Sequence, residues 1–242
     1  MASDALCRLC GASTTLRRSH VIPEFIYQPM YDEKHRFFAL DKREAWRAKP
    51  VQKGLSERML CDRCERFFSK FEKYAAEVMS GRSSATLRQS RDRIWVSGLD
   101  YGRFKLFLLS ILWRASVSNL EFFKLVSLGP HEDKIKSMLI EERPRRSEEY
   151  GCAVIFYRLR GEEMTDTMFN PEPFRWSGRR FTKFYFGGAC WCFCCDNQPP
   201  TAHLRRLYLQ EDGTFMGLKM DLQDAWDFAD AAKAIVKRRF LV

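Results

Sequence analysis

The 242-residue chain is predicted to be an α+β protein, with a small metal-built module first, then helices, then a mostly antiparallel sheet. Three observations carry this expectation. Two Cys-x-x-Cys pairs, Cys7/Cys10 and Cys61/Cys64, stand in the first third, and pairs at that spacing can aim four thiolates at one tetrahedral ion. Apolar residues recur at helical spacing in three stretches between Arg66 and Glu142. After Tyr150 the pattern changes to short aliphatic and aromatic runs divided by Gly, Pro and Asp-Gly. Helices followed by strands, rather than alternating with them, suit an α+β arrangement.

Composition narrows the class. Hydrophobic residues make up 45% and twenty residues are phenylalanine, so a large core can be buried. The formal net charge of +10 favours polyanionic partners through counterion release, although charge by itself speaks as readily to solubility. The first residues carry no basic segment followed by an apolar one, so no secretory leader is expected. The most apolar run, Leu106 to Trp113, is bracketed by Lys105 and Arg114. It is far shorter than the ~20 residues that span a bilayer. The expectation is a soluble cytoplasmic protein with no membrane partner. Nine cysteines, an odd number, then read as metal ligands or buried thiols rather than as a disulfide framework.

In order along the chain, Cys7-x-x-Cys10-Gly11 reads as a metal knuckle, with Gly11 letting the backbone fold beneath the thiolates. Thr14 to Ile22 reads as a strand carrying Arg17, Arg18 and His20, and Pro23 opens a short helix. Asp32 to Lys53 reads as an irregular excursion or weak hairpin around Phe37-Phe38-Ala39-Leu40. From Arg66 to Met79, Phe67, Phe68, Phe71, Tyr74, Ala75 and Val78 form the apolar face of a helix. Glu65, Ser69 and Glu72 make a polar stripe on its other side, which as a bland alternative is simply solvated.

Residues 81–97, rich in Ser and Arg, are expected to link the N-terminal unit (1–80) to a second one (98–242). Arg82, Arg88, Arg91 and Arg93 could track a phosphate backbone or serve a soluble loop. Tyr101 to Ser118 is an apolar helix for the centre of the second unit, and Pro130 to Glu142 is another, with Glu132 and Asp133 suited to its positive end. Cys152 to Leu159 is a strand. Phe181 to Cys194 is a second, bent or bulged at Gly187-Gly188. Asp212-Gly213 is expected to join strands at 203–210 and 214–219 as a hairpin. Asp221 is expected to cap a final helix containing Trp226, Ala229, Ala232, Ile235 and Val236. Cys190, Cys192 and Cys194 share one strand face, so core packing is preferred over a second metal site with Cys195.

The order Cys-x-x-Cys, then a strand ending Ser19-His20-Val21-Ile22-Pro23, then Leu60-Cys61-x-x-Cys64 running into a helix, resembles the HNH nuclease family over residues 5–80. The resemblance implies a treble-clef, or ββα-metal, module with structural Zn²⁺ on Cys7, Cys10, Cys61 and Cys64. It implies a metal-dependent endonuclease hydrolysing phosphodiester bonds in DNA. His20 matches the family's general base, and a neutral imidazole suits that role near pH 7. Glu65 stands where the family places a His or Asn ligand, and a carboxylate suits Mg²⁺ or Mn²⁺. Glu72 would assist it, while Arg17, Arg18 and Arg66 would contact phosphates. Ser19 replaces an acidic ligand, and no asparagine precedes Leu60-Cys61 to orient the base. The alternative is therefore a noncatalytic zinc-dependent module that binds nucleic acid or a protein partner.

Overall fold

A computed structural model describes residues 5–44 and 47–225, with the side chains of 47 and 48 left aside. Two short strands, β1 (Ala5–Leu6) and β2 (Ser13–Thr14), pair across the Cys7–Cys10 turn. β3 (Leu16–His20) leads through Pro23 into α1 (Glu24–Tyr27). The Asp32–Lys53 excursion is a hairpin, β4 (Arg36–Asp41) and β5 (Arg47–Gln52). β6 (Ser56–Cys61) returns antiparallel to β3 and runs directly into α2 (Asp62–Met79). A two-stranded sheet leading into a helix thus sits beside the four cysteines.

The segment expected to be a linker contains a second hairpin, β7 (Thr86–Gln89) and β8 (Arg93–Ser97). α3 (Tyr101–Val117) follows, N-capped by the Asp100 carboxylate on the Arg103 N–H, and then α4 (His131–Ile140). The rest is mainly sheet: β9 (Cys152–Leu159), β10 (Glu162–Glu163), β11 (Thr167–Trp176), β12 (Arg179–Phe186) and β13 (Ala189–Cys194). A short α5 (Ala202–Arg205) precedes β14 (Phe215–Asp221). The main sheet runs β5-β4-β11-β12-β13-β9-β14-β8-β7, with β10 paired to β9. All its pairings are antiparallel except β11 with β4 and β14 with β9. The mixed α/β, largely antiparallel architecture is as the sequence predicts, and no described helix is long and apolar enough to cross a membrane.

Two expectations are corrected, and one strand went unforeseen. Gly187 and Gly188 do not bend one strand: with φ of 59° and 76° they form the two-residue turn of the β12–β13 hairpin. Two successive positive-φ glycines match the twist of such a hairpin. Residues 203–210 are not a strand. They form α5 and turns, while the Asp212-Gly213 turn hands its carbonyl to the Leu99 N–H. Ten-residue β11 is legible only in hindsight, because Pro171 and Pro173 disguise it. β4 pairs only with Thr167 to Phe169, so beyond that point β11 is an edge, where proline is tolerated. The expected helix after Asp221 falls from residue 226 onward, outside the described residues.

The sheet separates two apolar clusters. Phe184, Phe186, Trp191 and Phe193 face the helices, packing with Phe68, Phe107 and Trp113. Cys190, Cys192 and Cys194 point the other way, among Tyr157, Phe181, Leu204 and Tyr208. All three thiols are buried. The alternation along β13 therefore places them as packing groups, in line with strand geometry.

Candidate metal centre and adjoining polar site

The knuckle builds itself from backbone hydrogen bonds. The Gly11 N–H donates to the Cys7 carbonyl at 2.8 Å, and the Cys7 N–H to that of Ala12 at 2.9 Å. Gly11 has a φ of +72°, a conformation in which glycine has no steric penalty. The Arg8 N–H donates to Met59 O of β6 at 3.1 Å, tying the turn to the second cysteine pair. The four thiol sulfurs lie within 4.8 Å of one another. Cys10 and Cys61 Sγ are 3.8 Å apart, close to the ~3.8 Å edge of a tetrahedron with ~2.3 Å metal–sulfur bonds. The Cys61 N–H points at Cys7 Sγ at 3.3 Å, the kind of donor that supports a thiolate. A backbone N–H from Ala12 helps lower the Cys10 thiol to about 6, while burial pushes Cys64 upward. The Arg63 guanidinium is held charged by Cys10 and balances a thiolate there. Four thiols so placed can hold a metal ion such as zinc. Among the described residues no other trio of His, Cys, Asp and Glu brings its ligand atoms so close.

His20 ends β3, one helical turn before Glu24, and its Nε2 lies 3.1 Å from Glu24 Oε2. Tyr31 Oη donates to Glu24 Oε1 at 3.0 Å, fixing that carboxylate in turn. Burial lowers the imidazole below its ordinary 6.5, offset in part by Glu24. The ring fits against Gly54 because a side chain there would meet it: an added Cβ falls 2.7 Å from His20 Cδ2 and from the Tyr27 ring.

Ser19 is fully buried. Its Oγ accepts the Leu60 N–H at 3.2 Å, and the nearby hydroxyl favours the ionised form of Glu65. Burial raises Glu65, and its Oε1 is enclosed without a hydrogen-bond partner in the protein. Glu72, two turns along α2, makes an ion pair of 2.8 Å with Arg114 of α3. Arg114 is 1% exposed and fully engaged: Nη1 also donates to His20 O at 2.8 Å, Nε to Ser110 O, and Nη2 to Ser110 Oγ. Its charge is felt at both His20 and Glu65.

The nominated residues therefore divide. Ser19, Arg114 and Glu72 bring His20 and Glu65 into one electrostatic neighbourhood. Arg17 and Arg66 instead converge on Asp62, each at 2.8 Å, at the exposed start of α2. Arg18 reaches Ser56, with Nη2 at 3.3 Å from its hydroxyl. Sequence reading missed Glu24, Tyr31 and Arg114. The His20/Glu24 spacing across a helix-opening proline is a signal that could have found Glu24. Nothing in the sequence joins Arg114 to His20, 94 positions away.

No protein-family model matches the chain, and no curated protein or solved structure is significantly similar to it.

Proposed function

We propose that the chain is a metal-dependent HNH-like endonuclease, with a ββα-metal module whose structural zinc sits on Cys7, Cys10, Cys61 and Cys64. The observation that carries this reading is the His20–Glu24–Tyr31 chain at the end of β3. Glu24 Oε2 lies 3.1 Å from Nε2 but is enclosed without an aligned hydrogen-bond partner in the protein, and a small turn of the ring toward it would hold the proton on Nε2 and leave Nδ1 as the acceptor. Nδ1 has no hydrogen-bond partner among the described residues, so it is free to take a proton from an attacking water. Glu24 supplies the orientation that the family's missing asparagine would have given, and it stabilises the imidazolium formed by that proton transfer.

Glu65 would hold a divalent cation, and its unpartnered Oε1 is the feature that fits one. Such an ion, Mg²⁺ or Mn²⁺, supplies charge stabilisation at the scissile phosphate. Glu72 is bound to Arg114, so it serves the site by anchoring that cation rather than as an open ligand. Arg17, Arg18 and Arg66 line the exposed end of the same β3–β6–α2 unit and would meet the DNA backbone, where phosphate contacts position the duplex. Arg17 and Arg66 would do so by exchanging Asp62 for phosphate.

The test is plasmid nicking with Mg²⁺ or Mn²⁺ by the intact chain. His20→Ala and Glu24→Gln should each lose activity, His20→Ala by about 10²–10⁴-fold. Undiminished nicking by His20→Ala would remove the mechanism. One observation favours the second reading, a noncatalytic zinc module: Arg114 already supplies a buried positive charge between Glu72 and His20. Binding of one zinc and no further divalent ion, with no cleavage by the wild type, would select it.

A further inference from the structure

The β7–β8 hairpin is the outermost pair at one end of the main sheet, and its residues serve neither the metal centre nor the His20 site. Residues 81–97 hold four arginines, Arg82, Arg88, Arg91 and Arg93, against a single acid, Asp92. Arg93 pairs with Asp92 at 3.4 Å. Arg82, Arg88 and Arg91 make no ion pair among the described residues. On the same hairpin Trp95 is 40% exposed. Trp113, Trp176 and Trp191 all pack on phenylalanine rings, whereas Trp95 has no ring partner among the described residues.

The register arranges these groups. Arg88 stands directly opposite Trp95 across the hairpin, and Met216 of β14 stands opposite Trp95 on its other side. Directly paired residues share a face, so Arg88, Trp95 and Met216 form a row. Arg93, two residues from Trp95, flanks it on that face, with Nη1 4.0 Å from Met216 Sδ. The hairpin's turn is held from behind. Lys219 Nζ donates to Gln89 Oε1 at 2.7 Å, its N–H to Asp92 O at 2.8 Å, and Arg158 Nη2 to Arg91 O at 3.2 Å. The face is thus a fixed platform with one open aromatic ring between two guanidinium groups.

We propose that this face binds single-stranded nucleic acid, with the Trp95 indole stacking on an unpaired base and Arg88 and Arg93 contacting the flanking phosphates. Aromatic platforms with basic borders bind single strands in this way, since every base has a π-face and every link a charge. A protein interface of this size would need more apolar area than one indole and a half-buried methionine provide. The proposal stands apart from the endonuclease reading, because it needs neither His20 nor any metal.

The experiment is a fluorescence-anisotropy titration of the full chain with labelled oligothymidylate, oligouridylate and a duplex of equal length, over a range of salt. Single strands should bind more tightly than the duplex, and the two oligomers separate DNA from RNA as the source of the strand. Trp95→Ala should weaken single-strand binding about tenfold, and Trp95→Phe should restore most of it. Arg88→Gln with Arg93→Gln should flatten the dependence of log affinity on log salt by roughly 0.7 per arginine. These exposed side chains test the surface even if Trp95→Ala loses its fold. No single-strand binding at low salt, a preference for duplex, or unchanged affinity and salt slope in the variants would overturn the proposal. So would loss of binding in His20→Ala with retention in Trp95→Ala, which would assign the strand to the N-terminal site.

Discussion

Glu72 and Arg114 each carry the other's charge across the α2–α3 contact. Arg114 is sealed from water, so removing its carboxylate leaves a buried guanidinium with only neutral acceptors. Glu72→Ala should cost about 3 kcal/mol, the lower end for breaking a buried pair because part of Glu72 remains open to solvent. Chemical denaturation would read this, and a change under about 0.5 kcal/mol, typical of surface sites, would refute it. His20 makes a pH-dependent contribution. Burial holds its folded-state pKa below the unfolded 6.5, so near and below 6.5 the unfolded chain binds more protons. Stability from this group is complete above 6.5 and declines as pH falls below it. His20→Gln should flatten that decline in denaturation midpoints, and under the proposed endonuclease reading nicking should fade as pH falls through the lowered His20 pKa and Nδ1 loses its lone pair to a proton. His20 was legible from its place before Ile22-Pro23. Its electrostatic surroundings were not, since Arg114 arrives from a helix whose sequence reads only as apolar.

At the scale of elements, the knuckle and the β3–β6 pair are closed by one another. Metal affinity in such structural sites is worth roughly 10 kcal/mol or more and appears as folding energy. Chelation, or Cys61→Ser, should therefore release one zinc per chain and melt this region, while the far end of the main sheet keeps its hydrogen-exchange protection. Elemental analysis with exchange mapping would check both halves of that statement. Gly54 sets how closely β6 approaches α1. A methyl group there would press on His20 and the fully buried Tyr27. Gly54→Ala should cost about 1–3 kcal/mol by overpacking and, under the proposed endonuclease reading, reduce nicking beyond any loss of stability. α2, α3 and α4 were legible because their apolar faces repeat at helical spacing. The β12–β13 turn and β11 were not, because two glycines resemble a bulge and two prolines argue against a strand until the missing neighbour of β11 is known. Those facts belong to the sheet, not to the segment.

For the whole molecule, the N-terminal third is not self-contained. β4 leaves the β3–β6–α2 unit and pairs in parallel with β11, burying Leu40 in the same apolar cluster as Phe169, while Asn170 Oδ1 accepts the Lys42 N–H at 2.9 Å. Arg114 makes a second tie, from α3 to the His20 carbonyl. A fragment of residues 1–80 should bind zinc yet expose the β4 face and associate. A monomeric 1–80 with the native spectrum of the metal site and native melting would contradict this. An α+β composition was readable from the order of patterns along the chain. That one sheet gathers strands from both ends was not, because a hairpin's outer edge carries no mark of the strand that will join it.

The parallel pairing of β4 with β11 also imposes an order on synthesis. The cysteine cluster can close once residue 64 has emerged, over a span of about fifty residues. β4 must wait for residue 167. For the time taken to translate roughly a hundred residues, at about 5–20 residues per second, a closed cysteine cluster carries an unpaired strand edge with aromatic side chains. Over that interval of several seconds the nascent chain offers a natural substrate for chaperones, and a truncated transcript would leave it there permanently.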